Sequence, residues 1–168
     1  MKNQLPIILL NFSGVYDYES FASSQNIIHI DCRGLSGVDC YCDEDGRKEL
    51  RRILAPYPAK ALHFIDSGDY HYLTEYWVSK LQEPFSLIVF DHHPDMQQPQ
   101  WEGVVSCGGW VTDVLEKNPF VRNIIIVGAS DEFLTSSSCH PKIFVKEFGD
   151  FLMPCHQHCL GINLLVQR

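Results

Sequence analysis

Short apolar runs recur along the first three quarters of the chain, at Ile7 to Phe12, Ile27 to Asp31, Ala61 to Asp66, Phe85 to Asp91 and Asn123 to Gly128. Each has the length of a strand. Leu87-Ile88-Val89-Phe90 and Ile124-Ile125-Ile126-Val127 do not alternate with polar residues, which is the pattern of strands buried on both faces. Between the runs lie amphipathic segments of helix length, Asp43 to Leu54, His71 to Leu81 and Gly108 to Lys117, the second closed by Glu83-Pro84. Strands alternating with helices are built from βαβ units. The pattern therefore predicts an α/β protein with a mainly parallel sheet.

From about Ser136 the pattern weakens. Ser136 to Pro141 reads as a loop, Lys142 to Met153 as one more amphipathic element, and Leu160 to Val166 as a short strand or helix. No internal repeat or linker interrupts the sequence. A chain of 168 residues suits a single domain over residues 1–168, with 136–168 as a less defined tail.

Composition adds exclusions. Hydrophobic residues at 45% and charged residues at 20% are those of a globular domain. The net charge of −8 argues against a nucleic-acid or anionic-membrane surface, which needs basic patches. The densest basic run, Arg47-Lys48 with Arg51-Arg52 around Glu49, reads as a solvated helix face. No stretch is long enough to span a bilayer. The apolar start, Leu5 to Leu10, is short for a signal peptide and has no cleavage site after it, so it reads as a first core strand. The expectation is a cytoplasmic protein with no membrane and no nucleic-acid partner. Its seven cysteines, Cys32, Cys40, Cys42, Cys107, Cys139, Cys155 and Cys159, lack framework spacing and are expected as free thiols.

Candidate chemistry gathers at strand ends. Ile30-Asp31, Ile65-Asp66-Ser67-Gly68-Asp69 and Phe90-Asp91 each close an apolar run with an acid, and in open α/β sheets the functional crevice lies just past the carboxyl ends of the strands. Asp91-x-His93-x-Asp95 offers two carboxylates and an imidazole at a period of two, a ligand set for a divalent ion of intermediate hardness such as manganese or zinc. Adjacent carboxylates repel without a cation. The plain alternative is a solvated turn in which Asp91 caps a helix after it. Ser67-Gly68-Asp69-Tyr70-His71-Tyr72 places His71 where a helix would turn it toward the same crevice as a further ligand; alternatively Asp69 is a helix N-cap. Ser106-Cys107-Gly108-Gly109-Trp110 reads either as a loop-to-helix turn or as a substrate contact through Ser106 and Gly108, with free backbone N–H groups for an anion. Cys155-His156-Gln157-His158-Cys159 has zinc-ligand residue types without a zinc spacing, and Cys40-Tyr41-Cys42 reads as core thiols or loop.

In order, these motifs resemble the arginase/agmatinase (ureohydrolase) family, and within it a divergent bacterial arginase-like group. Asp91-His92-His93-Pro94-Asp95 is similar to the family's D-x-H-x-D metal motif, and Ser67-Gly68-Asp69-Tyr70-His71 to its G-G-D-H motif with one residue inserted before the histidine. Asp31-Cys32-Arg33, Gly37 to Asp43 and Ser106 to Trp110 also look like that group, so the resemblance runs from about Leu9 to Gly128. It implies a three-layer α/β/α fold and one or two manganese ions. His71 and Asp95 would hold one ion, His93 the other, and Asp91 would bridge, with Asp91 and His93 at the catalytic centre. The implied reaction is hydrolysis of a C–N bond in a guanidino, amidino or amide small molecule, by water made acidic on the metal.

The family's later S-x-D-x-D motif has no counterpart, because Asp113, Asp131 and Asp150 are each isolated after Asp95. The implied fold is thus shortened at its C-terminus and its activity impaired. Where arginases carry a histidine used in proton transfer, the nearest residue is Cys107. Two other readings stand beside this one. Asp91-His92-His93 after an apolar strand also resembles DHH-type metal-dependent phosphoesterases, and the chain could equally be a non-catalytic, metal-binding remnant of the arginase fold. A sheet lacking its later strands would expose an edge, so either self-association into a homo-oligomer or marginal stability is expected.

Overall fold

A computed structural model describes residues 5–98, 101–129 and 140–146, together with the backbone of the strand Ile162–Val166. In chain order its elements begin with β1 (Ile7–Asn11), β2 (Ile27–Asp31), β3 (Tyr41–Cys42), α1 (Glu44–Leu54), β4 (Leu62–Phe64) and α2 (Leu73–Ser79). They continue with β5 (Phe85–Phe90), β6 (Val105–Ser106), α3 (Trp110–Lys117), β7 (Val121–Val127), β8 (Ile143–Lys146) and β9 (Ile162–Val166). Short 3₁₀ turns occupy Val15–Tyr18, Ser20–Ser23 and Gly68–Tyr70.

The chain is a mixed α/β protein whose parallel strands fall into two sheets. One is β2-β1-β4, parallel throughout; the other is β8-β7-β5-β9, in which β5, β7 and β8 are parallel and β9 runs antiparallel to β5. The expected single sheet is thus divided between β4 and β5. A small antiparallel pair, β3 with β6, stands apart, with Tyr41 opposite Ser106 and Cys42 opposite Val105.

One apolar core joins both sheets to the helices. Ile8 and Leu10 of β1, Leu87 and Val89 of β5, and Ile124 and Ile126 of β7 meet Leu50 and Leu54 of α1, Trp77 of α2, and Trp110, Val111 and Val114 of α3. The opposite face of β1 is covered as well, because Leu9 packs with Tyr16, Ala22 and Phe64. The uniformly apolar β1 therefore is a strand buried on both faces. In β5 and β7 the alternate residues Ile88, Ile125 and Val127 are half-buried, so their second face is less fully covered than the run of apolar residues suggests.

The helices start and stop for local reasons. Asp43 accepts a hydrogen bond from the Gly46 N–H at 2.8 Å and caps α1, with Glu44 and Asp45 in its first turn and Arg51 and Arg52 in its last. Gly46 also lets α1 approach the preceding loop, since a Cβ there would lie 2.8 Å from the Gly37 carbonyl and from Val38. Lys48 and Arg52 pair with Glu44 and Glu49 on the solvated face, as the sequence suggests. Arg47 does not: it turns inward to Glu75 of α2 at 3.1 Å and Asp113 of α3 at 3.6 Å, and Lys117 also pairs with Asp113, so the charges tie the three helices together.

Elements differ from expectation where polar groups intervene. The fourth strand ends at Phe64 rather than Asp66 because Asp66 adopts a left-handed conformation (φ 73°). Its buried carboxylate accepts the N–H groups of Phe12 and Ser13 at 2.8 and 2.9 Å and the Ser13 hydroxyl at 2.8 Å. The second helix starts two residues later than expected, after the 3₁₀ turn at Gly68–Tyr70. Within the segment Lys142 to Met153 the described part is the strand β8, and the run Leu160 to Val166 contains the strand β9. The loop assigned to 136–139 and the cluster Cys155 to Cys159 lie outside the described residues. Among the described residues no helix is long and apolar enough to cross a membrane.

Replacing Asp66 by Ala would orphan backbone donors at the end of β1 in a buried setting, at a cost of about 3 kcal/mol. Urea unfolding should show this as a lower midpoint with an unchanged slope, whereas Asp66→Asn, which keeps an acceptor oxygen and tolerates positive φ, should lose less.

Candidate metal centre

Three buried side chains meet beyond the carboxyl end of β5. The imidazole Nδ1 of His71 lies 3.1 Å from Asp91 Oδ2 and 3.3 Å from Asp95 Oδ2, and one ligand atom from each residue falls within 4.8 Å of the others. The three side chains are 4–6% exposed. Two carboxylates and an imidazole in this arrangement are a group that could hold a metal ion.

Each member is positioned by its element. Asp91 continues the pairing of β5 with β7, its N–H donating to the Val127 carbonyl at 3.0 Å. The irregular segment after it bends sharply. Asp91 Oδ1 accepts the His93 N–H at 2.9 Å, closing a turn around the carboxylate. Asp95 then takes a left-handed conformation (φ 50°), which returns its side chain toward His71. His71 arrives from the other direction, at the end of the 3₁₀ turn after β4, where the Ser67 hydroxyl accepts the Asp69 N–H.

Asp95 is held most tightly. The indole Nε1–H of Trp110 donates to its Oδ2 at 2.7 Å, and its carbonyl accepts the Val111 N–H at 3.0 Å. Two residues on, the Gln97 N–H donates to the Gly108 carbonyl at 2.9 Å. The N-terminus of α3 is thus clasped by residues 95–97, which leaves Trp110 fully buried against the carboxylate it serves.

The electrostatics reflect burial and pairing. Burial alone would lower the pKa of His71, but its hydrogen bonds to Asp91 and Asp95 and their charges outweigh that and hold it up at about 9. Burial would raise the Asp91 carboxyl, and the contacts with His71 and the His93 backbone bring it below its ordinary value instead. The pocket favours positive charge at its centre. His71 Nε2, on the far side of the ring, is buried without a hydrogen-bond partner among the described residues.

His93 stands apart. Its side chain is 67% exposed, with Nδ1 3.5 Å from Asp91 Oδ1, the oxygen turned away from His71. Ser106 and Gly108 belong to the junction with α3 rather than to the buried group: Ser106 lies in β6, and Gly108 packs against the Gln97 side chain, which a Cβ would approach to 3.1 Å. Of the other acids at strand ends, Asp31 is exposed and paired with Arg33 at 2.7 Å, and Asp66 is committed to the β1 turn. Asp69 accepts the Ser67 hydroxyl at 2.8 Å and faces Cys40 Sγ at 3.5 Å. Sequence reasoning missed Trp110 as the partner of Asp95, for a tryptophan in a glycine-rich turn carries no signal of where its N–H points.

No family model matches the chain, and no solved structure matches it. A protein of Thermotoga maritima, described only as an uncharacterized protein, is 24% identical to it over 126 residues. The match covers 75% of this chain and 50% of that protein, so the chain spans about half the length of the relative it resembles.

Proposed function

We propose that this protein is a metal-dependent hydrolase of the arginase type, acting on a C–N bond of a guanidino, amidino or amide compound. The observation that supports the reading best is the division of the Asp91 carboxylate: Oδ2 faces His71 within the buried group and Oδ1 faces His93 at the surface. That is the disposition expected of a residue shared between two ion positions.

The residues fit a divalent ion. The buried group supplies two carboxylate oxygens and an imidazole nitrogen, and His71 presents Nδ1, not the unpartnered Nε2, toward the carboxylates. Manganese suits two oxygen donors and one nitrogen. Bound there, a divalent ion would lower the pKa of water and polarise the bond under attack. The protein's own part is positional: Trp110 fixes Asp95, the turn at His93 fixes Asp91, and the exposed His93 stands where a substrate arrives. A net charge of −8 favours a cationic guanidino compound over a polyanionic nucleotide. The burial of Asp95 within the group likewise favours the arginase reading over the phosphoesterase, whose likeness rests on Asp91-His92-His93 and on the acids of Asp66-Ser67-Gly68-Asp69 after an earlier strand; His92 is exposed and Asp66 is committed to the β1 turn.

Prepared without chelators and dialysed against manganese, the chain should retain about one ion per molecule by elemental mass spectrometry, and Asp91→Asn should lose it while keeping its circular dichroism. A metal-free wild type, or an unchanged stoichiometry in the variant, would sink the assignment. Trp110→Phe should keep the fold and weaken manganese binding by roughly tenfold, because a partner that orients a ligand is lost; titration against a competing chelator reads this directly. Urea or ammonia release from guanidino and amide compounds, set against phosphate release from dinucleotides, then separates the hydrolase classes.

A further inference from the structure

We propose that Cys40 and Cys107 form a redox modification site that closes to an intramolecular disulfide by exchange with a small disulfide such as oxidised glutathione. The two thiols come from separate motifs 67 residues apart in sequence, yet their sulfurs lie 3.3 Å from each other. The backbone brings them together. Beyond the β3–β6 pairs Tyr41 with Ser106 and Cys42 with Val105, one further step along the ladder sets Cys40 opposite Cys107, and the Cys107 N–H donates to the Cys40 carbonyl at 2.8 Å. Cys40 leaves the ladder in a left-handed conformation (φ 59°), and it is the sulfur separation itself that puts the pair within reach of a bond. Closing the bond needs the sulfurs to approach by only about 1.3 Å.

Exposure separates this pair from the other described cysteines. Cys40 and Cys107 are half-buried, within reach of a small disulfide, while Cys32 and Cys42 are buried. The neighbourhood does not make a closed metal site instead: Asp69 Oδ1 is 3.5 Å from Cys40 Sγ, but among the described residues the group whose ligand atoms all lie within 4.8 Å is His71, Asp91 and Asp95. Burial, the neighbouring thiol and Asp69 push Cys40 up to about 12, and burial raises Cys107. Both thiols are therefore protonated near neutral pH, and exchange proceeds slowly through the minor thiolate form.

The step balances as two thiols plus one disulfide giving one disulfide plus two thiols. One protein thiol, losing its proton, attacks a glutathione sulfur; the glutathione S–S bond breaks and the first glutathione leaves as a thiolate that takes up a proton. The second protein thiol attacks the mixed disulfide at the protein sulfur, forming the Cys40–Cys107 bond and releasing the second glutathione. Closure also removes the Cys40 S–H from Asp69, two residues before His71, without drawing on the metal reading.

The test treats the full chain with oxidised glutathione in native buffer, blocks free thiols by alkylation, and maps peptides without reduction. The expected result is a cross-linked pair of peptides lighter by two hydrogens than the reduced pair, joined through Cys40 and Cys107, with fragmentation leaving Cys42 alkylated, and reversed by a reductant. In Cys40→Ser the same treatment should leave a persistent glutathione adduct on Cys107. If wild-type Cys40 and Cys107 are both recovered alkylated, both hold glutathione, or either links to Cys42, Cys139, Cys155 or Cys159, the proposal is overturned. The wild-type map decides the matter even if the variant fails to fold.

Discussion

Two carboxylates buried against one imidazole set the terms for the surrounding structure. Asp91 cannot stay ionised in an apolar interior unless positive charge sits beside it. His71 meets part of that need as an imidazolium, since its contacts with both acids outweigh the burial that opposes its charge. A divalent ion would supply that positive charge in place of the Nδ1 proton, because an imidazolium has no lone pair to offer a metal. Ordinary packing would favour apolar residues here, so the retention of three ionisable groups beneath the surface is a physical reason to look for a ligand.

The scaffold around the group prevents its relaxation. Asp91 is fixed by its ladder bond to β7, Asp95 by Trp110 and Val111 of α3, and His71 by the turn after β4. These three anchors come from both parallel sheets and from a helix. The core that unites Leu10, Val89, Ile126 and Val114 therefore holds the centre together as well as the fold. The buried bond between Asp66 and the end of β1 does the same for the strand that borders β4. Any loosening between the two sheets would separate His71 from its carboxylates.

Much of this is readable from residue pattern. Uniformly apolar runs mark β1, β5 and β7, and Asp43 marks the start of α1, because burial and capping are local rules that a sequence states openly. Asp91, Asp95 and His71 are recognisable as candidate ligands from residue type and position after strands. Backbone geometry at single residues is what the sequence hides. The turn that the His93 N–H closes on Asp91 breaks the period of two and leaves His93 facing solvent, and the left-handed Asp95 then returns to the inward side with Asp91. The left-handed Asp66 likewise ends β4 early. The division into two sheets, the inward turn of Arg47 and the meeting of Cys40 with Cys107 are long-range outcomes, which no local pattern encodes.

The unequal surroundings of the two Asp91 oxygens bear on how an arginase-type centre would behave in this chain. On the inner side Oδ2 has a buried imidazole and a second carboxylate, itself fixed by a hydrogen bond from Trp110. On the outer side Oδ1 accepts the His93 N–H at 2.9 Å and lies 3.5 Å from the exposed His93 imidazole, a side chain that would give up rotational freedom to ligate. An ion at the inner position would have three protein donors in a region of low dielectric, and one at the outer position would have fewer and compete with water. The inner group, and His71 with it, is therefore the part of the centre where a metal ion would be held.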